Sequence, residues 1–140
     1  MNKNLLQWNL QPADRIVVPK SDLRFVQHHA IYLGKDANGT DWIAENKIGK
    51  GVQKVIAVDF FNDVIGITRV EPFRFSETER RIALNNAIAL IGNKYNLLQF
   101  NCEHYANVVL HKQMVSNQVK AGLGLGLLGL FVGLFILSKD

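Results

Sequence analysis

The 140-residue sequence contains a single cysteine, Cys102, which excludes an internal disulfide and points to a reducing compartment or a catalytic thiol. The opening residues, Met1 to Asn9, have no sustained apolar core, so a secretory signal is not expected and the soluble part is read as cytosolic. The chain is basic, with 16 Lys and Arg against 12 Asp and Glu, yet the basic residues form no stripe and no aromatic interleaving. This argues against nucleic acid and leaves an anionic membrane surface as the better partner for the charge. No metal-ligand spacing occurs, and adjacent histidines with one distant cysteine are a poor zinc pattern, so neither metal nor cofactor is expected. No internal repeat is visible. The length suits one ordinary domain.

Strand patterns come first along the chain. Arg15–Val18 is short and β-branched, and Phe25–Gly34 has apolar residues on both faces, as a buried central strand requires. The turn formers from Lys35 to Asp41 return the chain into Trp42–Asn46. Val52–Val58 and Ile65–Val70 read as two further strands. After Pro72 the character changes: Ser76 with Glu79 forms a capping box that opens a helix running to Gly92-Asn93. A second helix follows from Cys102, with Asn101 as its N-cap. Strands followed by helices without alternation predict an α+β domain built on an antiparallel sheet.

The tail is a separate element. Residues 121–137 carry no charged or polar side chain and span roughly 25 Å at ~1.5 Å per residue, which reads as a C-terminal transmembrane helix. The expected organisation is a catalytic domain over 1–112, a linker over 113–120 and an anchor over 121–137. Gly122, Gly126, Gly129 and Gly133 share one helix face, a geometry that permits self-association in lipid. Lys112 and Lys120 on one side against Lys139 on the other place the domain on the cytoplasmic side of a single-pass tail anchor.

Cys102 is the candidate nucleophile. At the first position of a helix, unpaired N–H groups and the dipole favour a thiolate, although a lone cysteine also serves as a small buried hydrophobe. A cysteine nucleophile needs a base, and the base needs a group to orient it. His104 lies on another face of the Cys102 helix and is read as packing or hydrogen-bonding in the core, while His111 suits the helix C-terminus. His28 and His29 remain. Being adjacent on a strand they face opposite ways, so only one can look at the cysteine, and periodicity does not say which. Glu45 and Asn46 on the partner strand are the candidates to orient the base.

Gln27-His28-His29-Ala30-Ile31-Tyr32-Leu33-Gly34 together with Asn101-Cys102-Glu103-His104-Tyr105 resembles the paired signatures of the lecithin retinol acyltransferase family, the H-box/NC proteins. The resemblance runs from about Pro12 through Leu110. It implies a circularly permuted papain-like fold, Cys102 as nucleophile and His28 as general base, with His29 at the family's aromatic position. The third member, a histidine in the vertebrate enzymes, corresponds here to Glu45, with Asn46 as substitute. It further implies acyl transfer on membrane lipids through a Cys102 thioester, with the Cys102 backbone N–H among the oxyanion donors. Phospholipid or another acyl lipid would be the substrate. The headgroup, the acyl position and the acceptor are left open by the residues. So are a papain-like peptidase or amidase, and a catalytically silent membrane-remodelling module working through its Gly-faced tail.

Overall fold

The computed structural model describes residues 8–20 and 26–124. Five strands form one antiparallel sheet: β1 (Arg15–Pro19), β2 (Gln27–Lys35), β3 (Asp41–Lys47), β4 (Gly51–Ile56) and β5 (Arg69–Glu71), in the order β4-β3-β2-β1-β5. Among the described residues four helices accompany them: α1 (Ala57–Asn62), α2 (Glu77–Ala89), α3 (Cys102–His111) and α4 (Asn117–Gly124). The domain is therefore α+β, as strands before helices predict.

β2 is central because its side chains are apolar on both faces, and each face receives its own core. Ala30 and Tyr32, with Ile16, Val18 and Ile43, pack against Phe60 and Phe61 of α1. Ile31, with Ala44 and Val52, packs against Ala83 and Ala87 of α2 and against Tyr105, Ala106 and Val109 of α3. Tyr105 is fully buried and its hydroxyl donates to the Ala87 carbonyl at 3.0 Å, which ties α3 to α2. Gly51 is required where α2 ends. Its φ is +76°, and a Cβ there would lie 2.3 Å from the Asn93 carbonyl oxygen, which instead accepts from the Val52 N–H at 2.8 Å.

Several elements differ from the sequence reading. The strand expected over Val52–Val58 stops at Ile56, and the chain turns into α1, because Ala57, Phe60 and Phe61 recur at helical spacing and all three are buried. The strand expected over Ile65–Val70 shrinks to Arg69–Glu71, paired only with β1. The Ser76–Glu79 capping box is present, but α2 ends at Ala89 and buries its alanines while Ile82 and Ile88 are exposed. Small side chains let that helix sit close to α3. Among the described residues no helix is long and apolar enough to cross a membrane. Of the expected anchor over 121–137, residues 121–124 close α4. The remainder, including Gly126, Gly129 and Gly133, lies outside the described residues.

Candidate active site

α3 begins at Cys102 because Asn101 caps it. The Asn101 Oδ1 accepts from the N–H groups of Glu103 at 2.9 Å and His104 at 3.0 Å, and His104 Nδ1 accepts from the Asn101 N–H at 3.2 Å. His104 thus takes the place that Glu or Gln holds in an ordinary capping box. The thiol of Cys102 is buried and points to the start of β2, where it meets the Gln27 carbonyl at 3.7 Å.

His28 and His29 separate by strand parity. His28 shares its face with Ala30 and Tyr32, beside Phe60. Its Nε2 lies 2.6 Å from Glu45 Oε2, and the other carboxylate oxygen of Glu45 accepts from Gln53 Nε2 at 2.7 Å. Both partners are almost wholly buried. With Nε2 engaged, Nδ1 is the ring nitrogen left for the thiol. It makes no hydrogen bond of ordinary geometry, yet the ring and the Cys102 thiol interact strongly enough to shift each other's pKa.

The charge pattern follows from burial opposed by pairing. Burial works against the His28 imidazolium, but hydrogen bonding to Cys102 and Glu45, and their negative charges, outweigh it and raise His28 to about 9. Burial likewise pushes the Cys102 thiol up. The His28 interaction, the Lys20 ammonium and the His29 backbone N–H more than reverse this, so the thiol ionises below its ordinary range. Glu45 is held low against its burial by His28 and Gln53. Each shift favours the charged form of its group, so thiolate, imidazolium and carboxylate support one another in a row.

His29 faces the other way and stays neutral. Its Nδ1 accepts from Arg15 Nε at 2.9 Å, and burial together with the Arg15 charge drives its pKa down to about 2. Asn46 is likewise on the opposite face from Glu45, where its Nδ2 donates to the Phe100 carbonyl at 2.7 Å and holds the loop that delivers Asn101 and Cys102. Of the two candidates to orient the base, Glu45 is against His28 and Asn46 is not. His111 is exposed at the end of α3 against Phe75.

No family model and no curated protein matches this chain. The site is therefore read from its own geometry.

Four residues at this site were not singled out in the sequence. Gln53 pins the Glu45 carboxylate, and its position directly opposite Glu45 on β4 is the signal that could have found it. Lys20 lies near Tyr95, its Nζ 5.6 Å from the ring centroid, and acts electrostatically on both Cys102 and Glu45. Gln118 comes from the stretch expected to be a linker. Its side chain accepts from the Gln27 N–H at 3.1 Å and donates to the Gln27 carbonyl at 3.2 Å, the same carbonyl that meets the thiol. Ser116 is buried beside it and donates to Glu103 Oε2 at 2.6 Å, and that oxygen also accepts the Gln118 N–H at 2.9 Å. Residues 116–118 are thus docked beside the nucleophile. Among the described residues no cluster of His, Cys, Asp or Glu is arranged to hold a metal.

Proposed function

We propose that this chain is a cysteine-dependent acyl-transfer enzyme of phospholipase or acyltransferase type, acting on membrane lipids. The observation that carries the reading is the buried row of Glu45, His28 and Cys102, with the thiol at the first turn of a capped helix. The His28 and Cys102 motifs, similar to those of the lecithin retinol acyltransferase family, support the same chemistry. They also suggest a permuted papain-like plan in which the apolar tail anchors the domain at its substrate.

The Cys102 thiolate attacks the acyl carbonyl carbon, forming a C–S bond and placing the carbonyl electron pair on oxygen. The Asn101 cap engages the N–H groups of Glu103 and His104, so the Cys102 N–H is assigned to that oxyanion. Collapse breaks the ester C–O bond, and the His28 imidazolium gives its proton to the departing alkoxide. An acceptor, water or another alcohol or amine, then loses a proton to His28 as it attacks the thioester, and its attack releases the thiolate. Glu45 holds the imidazole orientation and stabilises its cation throughout.

Intact-mass analysis after incubation with phosphatidylcholine vesicles tests the proposal, with Cys102→Ala and His28→Ala as controls. An acyl adduct on the wild type, absent from Cys102→Ala, is expected, with fatty acid or lysolipid released. An adduct with peptide or amide substrates alone favours the amidase. No adduct and no released product on any acyl compound leaves the silent membrane module.

A further inference from the structure

Cys102 and Gln118 meet at one edge of β2. The Tyr32 N–H donates to the Asp14 carbonyl at 2.9 Å, so even-numbered residues of this strand bond towards β1, and Gln27 and His29 present their backbone groups on the opposite edge. The β2–β3 ladder on that edge ends at Ala30, opposite Glu45. Beyond it two side chains reach the strand. The Gln118 carboxamide accepts from the Gln27 N–H at 3.1 Å and donates to the Gln27 carbonyl at 3.2 Å, while the Cys102 thiol donates to the same carbonyl at 3.7 Å. Resting on the acyl-transfer reading, we propose that Gln118 is a positioning residue for the nucleophile: it holds the Gln27 carbonyl so that the Cys102 proton is released to His28.

The place of the thiol proton gives this contact its role. The S–H is engaged with Gln27, whereas Nδ1 of His28, the nitrogen that receives the proton, is buried and makes no hydrogen bond. Transfer breaks the S–H bond and forms an N–H bond on Nδ1. The Gln27 carbonyl then loses a donor and gains an anion beside it, and both changes oppose the step. The Gln118 amide stays on that oxygen throughout and offsets the loss. The His29 N–H, on the same edge, remains to stabilise the sulfur anion. Gln118 is itself tied to the Cys102 helix, because its backbone N–H donates to Glu103 Oε2 at 2.9 Å beside the Ser116 hydroxyl on the same oxygen. The clamp therefore moves with the nucleophile rather than with solvent-exposed chain.

The test is the pH midpoint of Cys102 alkylation by iodoacetamide, measured with Tm and with p-nitrophenyl butyrate turnover, in the full chain as wild type, Gln118→Met and Ser116→Ala. Methionine keeps the length of the half-buried Gln118 side chain and removes both contacts with Gln27. The ionisable groups that act on the sulfur, His28, Arg15, Lys20 and Tyr95, stay in place. A loosened segment speeds alkylation without moving its midpoint, so the midpoint separates a lost clamp from a lost dock. In Gln118→Met the midpoint is expected to rise by about 1 pH unit, the effect of one hydrogen bond, and kcat/KM for the ester to fall roughly tenfold below that pH. In Ser116→Ala the Tm falls and the midpoint stays at the wild-type value. An unmoved midpoint in Gln118→Met, or an equal rise in Ser116→Ala, overturns the assignment of Gln118 alone. No turnover of the ester by the wild type, with the midpoint still raised in Gln118→Met, overturns the acyl-transfer reading and leaves the effect of Gln118 on the thiol standing.

Discussion

Glu45 is paired across the sheet with Ala30, yet its carboxylate meets the imidazole of His28, two residues along the same face. The contact is a diagonal cross-strand pair, within reach of long side chains and impossible for a residue of opposite parity. That geometry selects His28 over His29 and Glu45 over Asn46 in one step. Gln53, the direct cross-strand partner of Glu45, holds the second carboxylate oxygen and fixes the angle of approach.

Replacing Glu45 with Gln keeps the shape and removes the charge. Because Glu45 helps raise His28 to about 9, the imidazolium of the variant gives up its proton at lower pH. The alkaline limb of a kcat/KM profile should move down by about 1 pH unit, the lower end of the effect of one adjacent opposite charge. An unmoved limb would show that Glu45 does not act on His28.

The stability profile distinguishes the two neighbouring histidines. His28 is raised from 6.5 to about 9, so its contribution is full below pH 6.5 and declines as the pH rises towards 9. Cys102 is lowered from 9.0, so its contribution grows as the pH rises towards that value. The two trends oppose each other as the pH rises above 6.5. His29 is lowered from 6.5 to about 2 and stays neutral in the fold while its unfolded form protonates, so stability falls as the pH drops below 6.5. Thermal unfolding between pH 4.5 and 6.5 should show a Tm that declines as the pH falls.

Asn101 both opens α3 and positions the nucleophile. Asn101→Ala should lower stability by about 1 kcal/mol or more, the ordinary cost of losing a cap, in urea unfolding. Asn101→Asp keeps the acceptor but sets a negative charge beside Cys102, so it should recover much of the stability while raising the thiol pKa. Equal thiol pKa in Asn101→Asp and wild type would contradict the assignment.

Residues 116–118 belong to the site although they lead into the tail. Ser116→Ala removes one of two donors to the buried Glu103 carboxylate and should cost about 1–3 kcal/mol in unfolding. Truncation after Lys120 keeps Ser116 and Gln118 and should preserve the Tm while moving the protein from the membrane to the soluble fraction. Truncation after Lys112 removes both partners of Glu103 and should lower the Tm.

Much of the fold was legible in the sequence where a pattern is local. Turn formers marked the β2–β3 hairpin, and the Ser76 and Asn101 caps marked the starts of α2 and α3. α1 was missed because Val55, Ile56 and Val58 are β-branched and outweighed the i, i+3, i+4 spacing of Ala57, Phe60 and Phe61. The choice between His28 and His29 was beyond local pattern. It depends on contacts with Arg15, Glu45 and Gln118, which only the folded chain brings together. Residues 113–120 read as a linker because Ser116 and Gln118 act through hydrogen bonds to residues distant in sequence, which leave no periodic trace. His104 concealed its part in the cap because that position is ordinarily Glu or Gln.

The most direct measurement is the rate of Cys102 alkylation by iodoacetamide as a function of pH, in the wild type and in His28→Ala. With a single cysteine the labelling is unambiguous. The account predicts a wild-type midpoint well below the ordinary thiol value and an upward shift in His28→Ala. A wild-type midpoint at about 8.5, the value of a free cysteine, and unmoved by His28→Ala, would contradict the thiolate–imidazolium pair on which the proposed chemistry stands.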